Sequence, residues 1–429
     1  MIFFAQQAVV LIGGKGARLG ELTRQTPKPL MQIDASKVFL DELIELLARH
    51  GFKEILLLAC HMAEQFSARY DGTVQYGARL KVLIETTPAG TAGALRLVQD
   101  YLDPVFLFAN GDTLFDVNIR RLDSVLAKAS IETLGVMALR EVPDASRYGS
   151  VSLQNKKVTG FREKYLVGAN KRGLINAGLC LLKRQIIDHI PLGPCSMEAD
   201  VYPSLARKGL LGGEQLDGYF IDIGLPETLE EARTVLPARR IRPALFLDFD
   251  GVLSSDRGHT HKAEELELIP GAIDLVRAAN DCGALVIALT GQAGIAQGLY
   301  DCEAVDTFHN ALQARLAIEG AHVDSFYPCP YKTDAVSTKW HHADHSSRKR
   351  NQGMLIQSML DWPIDIVASV LIGDQNSDFE TASRAGVNGL LFNGNRIDEL
   401  IPSMITQMTS RIEQRALATL WSPIDGVKN

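Results

Sequence analysis

Residues 242–251 read Arg-Pro-Ala-Leu-Phe-Leu-Asp-Phe-Asp-Gly, and the second half of the chain is organised around them. The apolar run from Ala244 to Leu247 predicts a short strand buried on both faces, as in a parallel sheet covered by helices. It ends in two carboxylates, Asp248 and Asp250, and residues two apart in a strand point to the same side. Gly251 then lets the backbone turn sharply. Two acids at the end of a buried strand repel each other unless a cation or a proton-sharing task holds them there. A surface turn also uses Asp and Gly, but not directly behind such a run. The stretch therefore predicts the start of a second catalytic domain.

The totals agree with two domains, since 429 residues exceed one ordinary core. Hydrophobic content of 46% with 22% charge is globular rather than disordered. A net charge of -7 argues against a general affinity for nucleic acid or anionic membrane. Cys60, Cys180, Cys195, Cys282, Cys302 and Cys329 are scattered without a CxxC, so reduced cytosolic thiols are expected. The opening Met-Ile-Phe-Phe lacks a preceding basic region and leads straight into a glycine loop, so no signal peptide is read. No apolar segment approaches membrane-spanning length. The expectation is a soluble cytoplasmic protein, with homo-oligomerisation left open.

Strand-like runs alternate with helical patterns: Ala8–Ile12, Phe39–His50, Ile55–Ala59 and Val105–Ala109. After Ala244 the alternation resumes, with helices at Ala272–Asn280 and Met354–Leu360 and strands at Leu285–Leu289 and Val367–Ile372. This is the signature of parallel α/β architecture. Leu236–Pro243, with Pro237, Pro243, Arg239, Arg240 and Arg242, has the composition of a connector in which prolines interrupt regular structure. The expected division is a first domain over 1–238, a linker over 239–243, a second domain over 244–400 and a helical tail over 401–429.

The strand Val9–Ile12 is followed by Gly13-Gly14-Lys15-Gly16-Ala17-Arg18-Leu19, and then by Pro27-Lys28-Pro29-Leu30. Glycines let backbone N–H groups wrap closely around phosphate oxygens. Arg18 and Lys28 supply the charge a polyphosphate needs. The loop is not a Walker P-loop, and Leu19 stands where a dinucleotide fingerprint has its third glycine. Together these motifs resemble the sugar-1-phosphate nucleotidylyltransferases, over nearly all of residues 8–235. Within that family Asn110-Gly-Asp-Thr113, Phe161-Arg-Glu-Lys164 and Phe220-Ile-Asp-Ile-Gly224 are most similar to the heptose 1-phosphate guanylyltransferases. The resemblance implies a Rossmann-like mixed sheet and a sugar phosphate attacking the α-phosphorus of a nucleoside triphosphate, GTP above others. It places Gly13, Gly14, Gly16, Glu85 and Gly90 at the nucleotide. Glu163, Lys164 and Asn176 fall at the sugar, and Asp112 and Asp222 at Mg²⁺. Arg18 and Lys28 then stabilise the triphosphate and the leaving pyrophosphate, because such transfer needs charge neutralisation more than a protein nucleophile.

Downstream of Asp248 and Asp250, the strand Leu285–Leu289 ends in Thr290-Gly291-Gln292. Lys349 lies in a basic triplet, and Ser369–Ile372 ends in Gly373-Asp374, with Asp378 beyond. A nucleophilic carboxylate, a second acid, a hydroxyl, a lysine and a further acid make a phosphate-hydrolysing set. The order resembles the haloacid dehalogenase superfamily over residues 244–395, and within it the D-glycero-D-manno-heptose 1,7-bisphosphate phosphatases. The implied fold is a doubly wound parallel sheet. The implied roles are Asp248 as nucleophile, Asp250 as acid and base, and Thr290 and Lys349 at the transferring phosphate. Gln292 and Arg348 fall at the substrate, with Mg²⁺ on Asp248, Asp250 and Asp374. Two positions depart from the pattern: Gly291 replaces an asparagine and Gln375 a lysine. The subgroup's zinc loop keeps Cys329, but Tyr331 takes the histidine position, and His345 and Ser347 fall where paired cysteines belong. Either His341, His342 and His345 rebuild a Zn²⁺ site with Cys329, or the loop is a solvated histidine-rich segment.

Fusion links the halves. A phosphatase that removes the 7-phosphate of heptose 1,7-bisphosphate yields the heptose 1-phosphate that the first domain would activate. The expected partners are therefore a nucleoside triphosphate and sugar phosphates. A mannose-type pair of other specificity and a second domain serving only as a binding or oligomerisation module are the alternatives.

Overall fold

The computed structural model describes residues 4–146, 148–162, 172–255, 258–342, 344–347 and 351–409. The chain divides into two compact units with the break between Arg239 and Arg240. The connector is shorter than composition suggests. The helix Pro226–Arg239 runs through Pro237, which sits so near the helix end that little of the ladder is lost. Arg242 already pairs with Ile364 in a parallel bridge, and its N–H donates to the Pro363 carbonyl at 3.0 Å.

In the first unit the strands are β1 (Gln7–Leu11), β2 (Glu54–Ala59), β3 (Val74–Gln75), β4 (Ala78–Ile84), β5 (Val105–Asn110), β6 (Thr113–Asp116), β7 (Gly135–Val142), β8 (Ser150–Gln154), β9 (Lys157–Arg162), β10 (Gly173–Lys183), β11 (Leu211–Gln215) and β12 (Tyr219–Asp222). Ten of them form one mixed sheet in the order β3-β4-β2-β1-β5-β10-β7-β11-β9-β8. Strands β2 and β5 flank β1 in parallel, and β10 enters antiparallel beside β5. Beyond Gln7, strand β1 is apolar because both faces are covered. Ala8 and Val10 join a core with Phe39, Leu43 and Leu47 of the helix Phe39–Arg49, whereas Val9 joins one with Ala92, Leu95 and Phe106. The remaining pair, β6 and β12, makes a separate antiparallel ribbon that sets Thr113 opposite Asp222.

The second unit holds five parallel strands, β13 (Ala244–Asp248), β14 (Leu285–Gly291), β15 (Ser325–Cys329), β16 (Val370–Gly373) and β17 (Asn388–Leu391), in the order β15-β14-β13-β16-β17. All five residues of β13 are buried at the sheet's centre. Leu245 and Leu247 pack toward the helix Ala272–Asp281, and Ala244 and Phe246 toward the helix Gly353–Asp361. The chain moves to β14 on one side of β13 and returns as β16 on the other. Such a switch point opens a crevice at the carboxyl ends of the strands. The described part of the tail is the helix Ile401–Thr409, which buries Met404 and Met408; residues 410–429 lie outside the described residues. Among the described residues no helix is long and apolar enough to cross a membrane.

Two candidate active sites

In the first unit the glycine loop leaves β1 and folds back on the turn that carries Lys28. Gly16 has φ 62°, and a Cβ there would come 2.9 Å from Thr23 Cγ2 and 3.3 Å from Lys28 Cβ, so only glycine fits without strain. The Lys28 ammonium is almost fully buried. It donates to Asp112 Oδ2 at 2.7 Å and to Asp222 Oδ1 at 3.2 Å. The ribbon brings these acids together, since Asp112 directly precedes Thr113 and Thr113 faces Asp222. Asp222 Oδ1 also accepts the Gly224 N–H at 2.6 Å, and a Cβ on Gly224 would lie 2.8 Å from the Arg18 guanidinium.

These groups line a cleft of about 360 Å³ with Gly14, Gly16, Arg18, Lys28, Asn110 and Asp112 in its walls. Thr91 and Glu198 line it too, and neither was expected. The Thr91 hydroxyl accepts the Met197 N–H at 2.8 Å and donates to Glu198 Oε2 at 3.1 Å, and the Ser196 hydroxyl donates to the same oxygen at 3.2 Å. Gly13, Glu85, Gly90 and Asn176 do not line the cleft. Glu85 accepts the Ala89 N–H at 3.4 Å, and burial pushes its carboxyl above the usual carboxylate range. Gly90 opens the helix Gly90–Leu97 against the Cys195 backbone. Asn176 Oδ1 accepts the Gly178 N–H where the β10–β7 register shifts. Glu163 and Lys164 lie outside the described residues.

In the second unit Asp248 closes β13 and is 2% exposed. Asp374 follows β16. Asp378 sits in the first turn of the helix Asn376–Ala385, where its Oδ2 accepts the Gln375 N–H at 3.1 Å. These three acids each offer an oxygen, all within 4.8 Å of one another. The trio adds Asp378 to the expected Asp248 and Asp374. Phe249 still pairs with Leu289, but Gly251 turns at φ 83° and its N–H closes on Ser254 at 2.8 Å. Residues two apart share a side only within a continuing strand, and here the strand has stopped. A Cβ on Gly251 would collide with Asp374 Oδ2.

Gln292 is 3% exposed and bridges two protein groups: Nε2 donates to Thr290 Oγ1 at 2.7 Å and Oε1 accepts from the Tyr300 hydroxyl at 2.9 Å. Arg348 and Lys349 lie outside the described residues. The zinc candidates do not assemble. No three of Cys329, His341, His342 and His345 form a ligand group. Tyr331 instead stacks on His345 with centroids 3.5 Å apart, and the Ser347 N–H donates to His345 Nδ1 at 3.1 Å. In this arrangement those residues do not fit a zinc centre.

The family profile described as Nucleotidyl transferase matches residues 7–238, more than half of the chain. The chain belongs to the nucleotidyl transferase family. Over 230 residues it is 33% identical to a mannose-1-phosphate guanyltransferase of Neurospora crassa, covering 52% of this chain and 61% of that protein. A D-glycero-alpha-D-manno-heptose 1-phosphate guanylyltransferase of Campylobacter jejuni is 32% identical over 226 residues, 52% of this chain and 96% of that one. A D-glycero-beta-D-manno-heptose-1,7-bisphosphate 7-phosphatase of Rhodopseudomonas palustris is 33% identical over 168 residues, 39% of this chain and 92% of that one.

The nucleotidyl transferase unit thus presents a glycine loop, two cations and Asp112 in one cleft, with Asp222 behind on the same lysine. That set can bind and neutralise a polyphosphate. The acid pair faces a single point, as a shared cation requires, so Asp112 and Asp222 fit Mg²⁺ ligation. In the second unit the trio of carboxylate oxygens suits the same hard cation. Asp378 gave a signal in the sequence, as the acid beyond Asp374 and by its capping-box spacing from Gln375. Glu198 had none, because it meets Thr91 only through the fold.

Proposed function

We propose that this nucleotidyl transferase is bifunctional. Its second unit removes the 7-phosphate of D-glycero-D-manno-heptose 1,7-bisphosphate. Its first unit transfers GMP from GTP to the resulting heptose 1-phosphate, releasing pyrophosphate. The observation that carries the reading is that one chain resembles both a heptose-bisphosphate 7-phosphatase and a heptose 1-phosphate guanylyltransferase. The two relatives' names differ at the anomeric carbon. We assign the alpha anomer, because the transferase works at the phosphate on that carbon while the phosphatase cleaves at the far end of the sugar.

In the first unit the loop at Gly14 and Gly16 cradles the triphosphate, and Arg18 and Lys28 neutralise the phosphates as the sugar phosphate attacks. Asp112 and Asp222 would hold Mg²⁺, which when bound adds charge neutralisation at the reacting phosphates. In the second unit the Asp248 carboxylate attacks phosphorus, forming an aspartyl-phosphate as the P–O bond to the sugar breaks. Asp250 gives its proton to the departing sugar oxygen. It then takes one from the water that hydrolyses the acyl phosphate to inorganic phosphate. Asp248, Asp374 and Asp378 would hold the second Mg²⁺, and Thr290 and Lys349 bind the transferring group.

The test is mass spectrometry of products from the full chain with Mg²⁺, either anomer of the bisphosphate and all four nucleoside triphosphates. GDP-heptose with phosphate and pyrophosphate is expected from the alpha anomer. Pyrophosphate release with mannose 1-phosphate and none with heptose 1-phosphate would overturn the sugar assignment in favour of a mannose reading, which the Neurospora relative supports. Intact bisphosphate would leave the second unit as a binding module.

A further inference from the structure

Thr290 stands one residue beyond Leu289, the register partner of the nucleophile Asp248, and is fully buried. A hydroxyl carries one proton and two acceptor lone pairs. Gln292 Nε2 donates into Thr290 Oγ1 at 2.7 Å, so the Thr290 proton is aimed elsewhere. That polarity depends on which end of the Gln292 amide faces Thr290. In this structure the Tyr300 hydroxyl donates at 2.9 Å to Oε1, which leaves Nε2 to face Thr290. Burial and the neighbouring Asp250 push the phenol above its ordinary range, which keeps the donor protonated. An inverted amide would present its oxygen to Thr290 and draw the threonine proton inward.

Tyr300 is seated for this task. Its ring stacks on His261 with centroids 4.4 Å apart and planes within 16°. It fills the space over Gly294, where any Cβ would collide with it. Gly291, between Thr290 and Gln292, has no side chain with which to orient the amide.

We infer that Tyr300 is a positioning residue of the second unit, acting through Gln292 to keep the Thr290 hydroxyl turned as a donor toward the phosphoryl group being transferred. The inference rests on reading this unit as a phosphate-handling site. It gives the second-motif hydroxyl a relay of two hydrogen bonds that begins ten residues downstream.

The test compares the full chain with Tyr300→Phe, Gln292→Glu, Thr290→Val and the double variant Thr290→Val/Tyr300→Phe. Tyr300→Phe keeps the ring, the stack and the fit over Gly294. Gln292→Glu keeps an acceptor for Tyr300 but has no N–H for Thr290. Both single variants are expected to lower kcat for phosphate release roughly tenfold with KM changed by less than about twofold. On the Thr290→Val background Tyr300→Phe is expected to have no further effect. A full additional loss there would overturn the relay, as would a rise in KM alone, which would mean that Tyr300 touches the substrate. Binding of orthovanadate with Mg²⁺ separates this proposal from the phosphatase reading. Affinity roughly tenfold weaker in Tyr300→Phe supports the relay even where the wild type hydrolyses no bisphosphate, a result that would sink the phosphatase reading alone. Equal affinity in wild type and variant, or no vanadate binding to either, would overturn it.

Discussion

The first unit closes two acids on a buried lysine, and the second draws three acids together at the ends of parallel strands. Asp112 and Asp222 are far apart in sequence and meet across an antiparallel ribbon, closing on the buried Lys28 ammonium. Asp248, Asp374 and Asp378 converge at the carboxyl ends of adjacent parallel strands, with their oxygens inside 4.8 Å. The first arrangement offsets one of its two negative charges before any ligand arrives. The second holds three like charges together, a cluster that a divalent cation would stabilise. Acid clusters are therefore built in two ways: one pairs carboxylates with a lysine of the fold, and the other sets three carboxylates toward a common point.

The largest effects should fall on one side of this contrast at a time. Asp248→Asn removes the proposed nucleophile, and phosphate release is expected to fall by at least about 10⁴-fold. Nucleotidyl transfer from supplied heptose 1-phosphate should be unchanged in the same preparation. Lys28→Met is expected to lower transfer roughly 10³-fold and leave phosphate release intact, since it strips both the phosphate contact and the counter-ion of Asp112 and Asp222. Gly251→Ala places a Cβ against Asp374 at φ 83°. Phosphate release should drop about 100-fold, with a stability loss of about 1–3 kcal/mol, checked by denaturant unfolding.

A smaller effect concerns acid. His309 is buried against Phe326 and Phe249, and burial lowers its imidazole to about 4 from the ordinary 6.5. As pH falls from 6.5 toward 4 the unfolded chain takes up a proton that the folded unit refuses. Stability should therefore decline across that window by about 3 kcal/mol. His309→Phe should flatten the decline in thermal scans across pH. The smallest effect is the most direct reading of the comparison. Added Mg²⁺ should raise the melting transition of the second unit by a few degrees more than that of the first, as binding to the folded state alone requires. Equal shifts would break the contrast.

Much of the scaffold could be read from residue order, because β1 and β13 are apolar runs buried on both faces and end in the chemistry they support. Asp248 and Asp374 follow from that rule, as do Lys28 and the glycine loop. What was not legible shares one cause. Gln292 meets Tyr300 on a neighbouring turn that periodicity does not place. Glu198 reaches its cleft through Thr91, across a distance in sequence that no local pattern spans. The loop after Cys329 shows the same limit: spacing proposes metal ligands, but the stack of Tyr331 on His345 is a matter of packing.

The β6–β12 ribbon also sets a timetable for the chain on the ribosome. The glycine loop, Lys28 and Asp112 emerge early, but Asp222 follows only after β7 to β11 have been made. N-terminal units generally fold first during synthesis, and long-range pairings form late. The transferase cleft is thus completed by nearly the last strand of its own unit, shortly before Asp248 is translated. A chain halted anywhere before Tyr219 would carry the phosphate loop with half of its acid pair, and a nascent protein would complete its first site well before Asp374 and Asp378 complete its second.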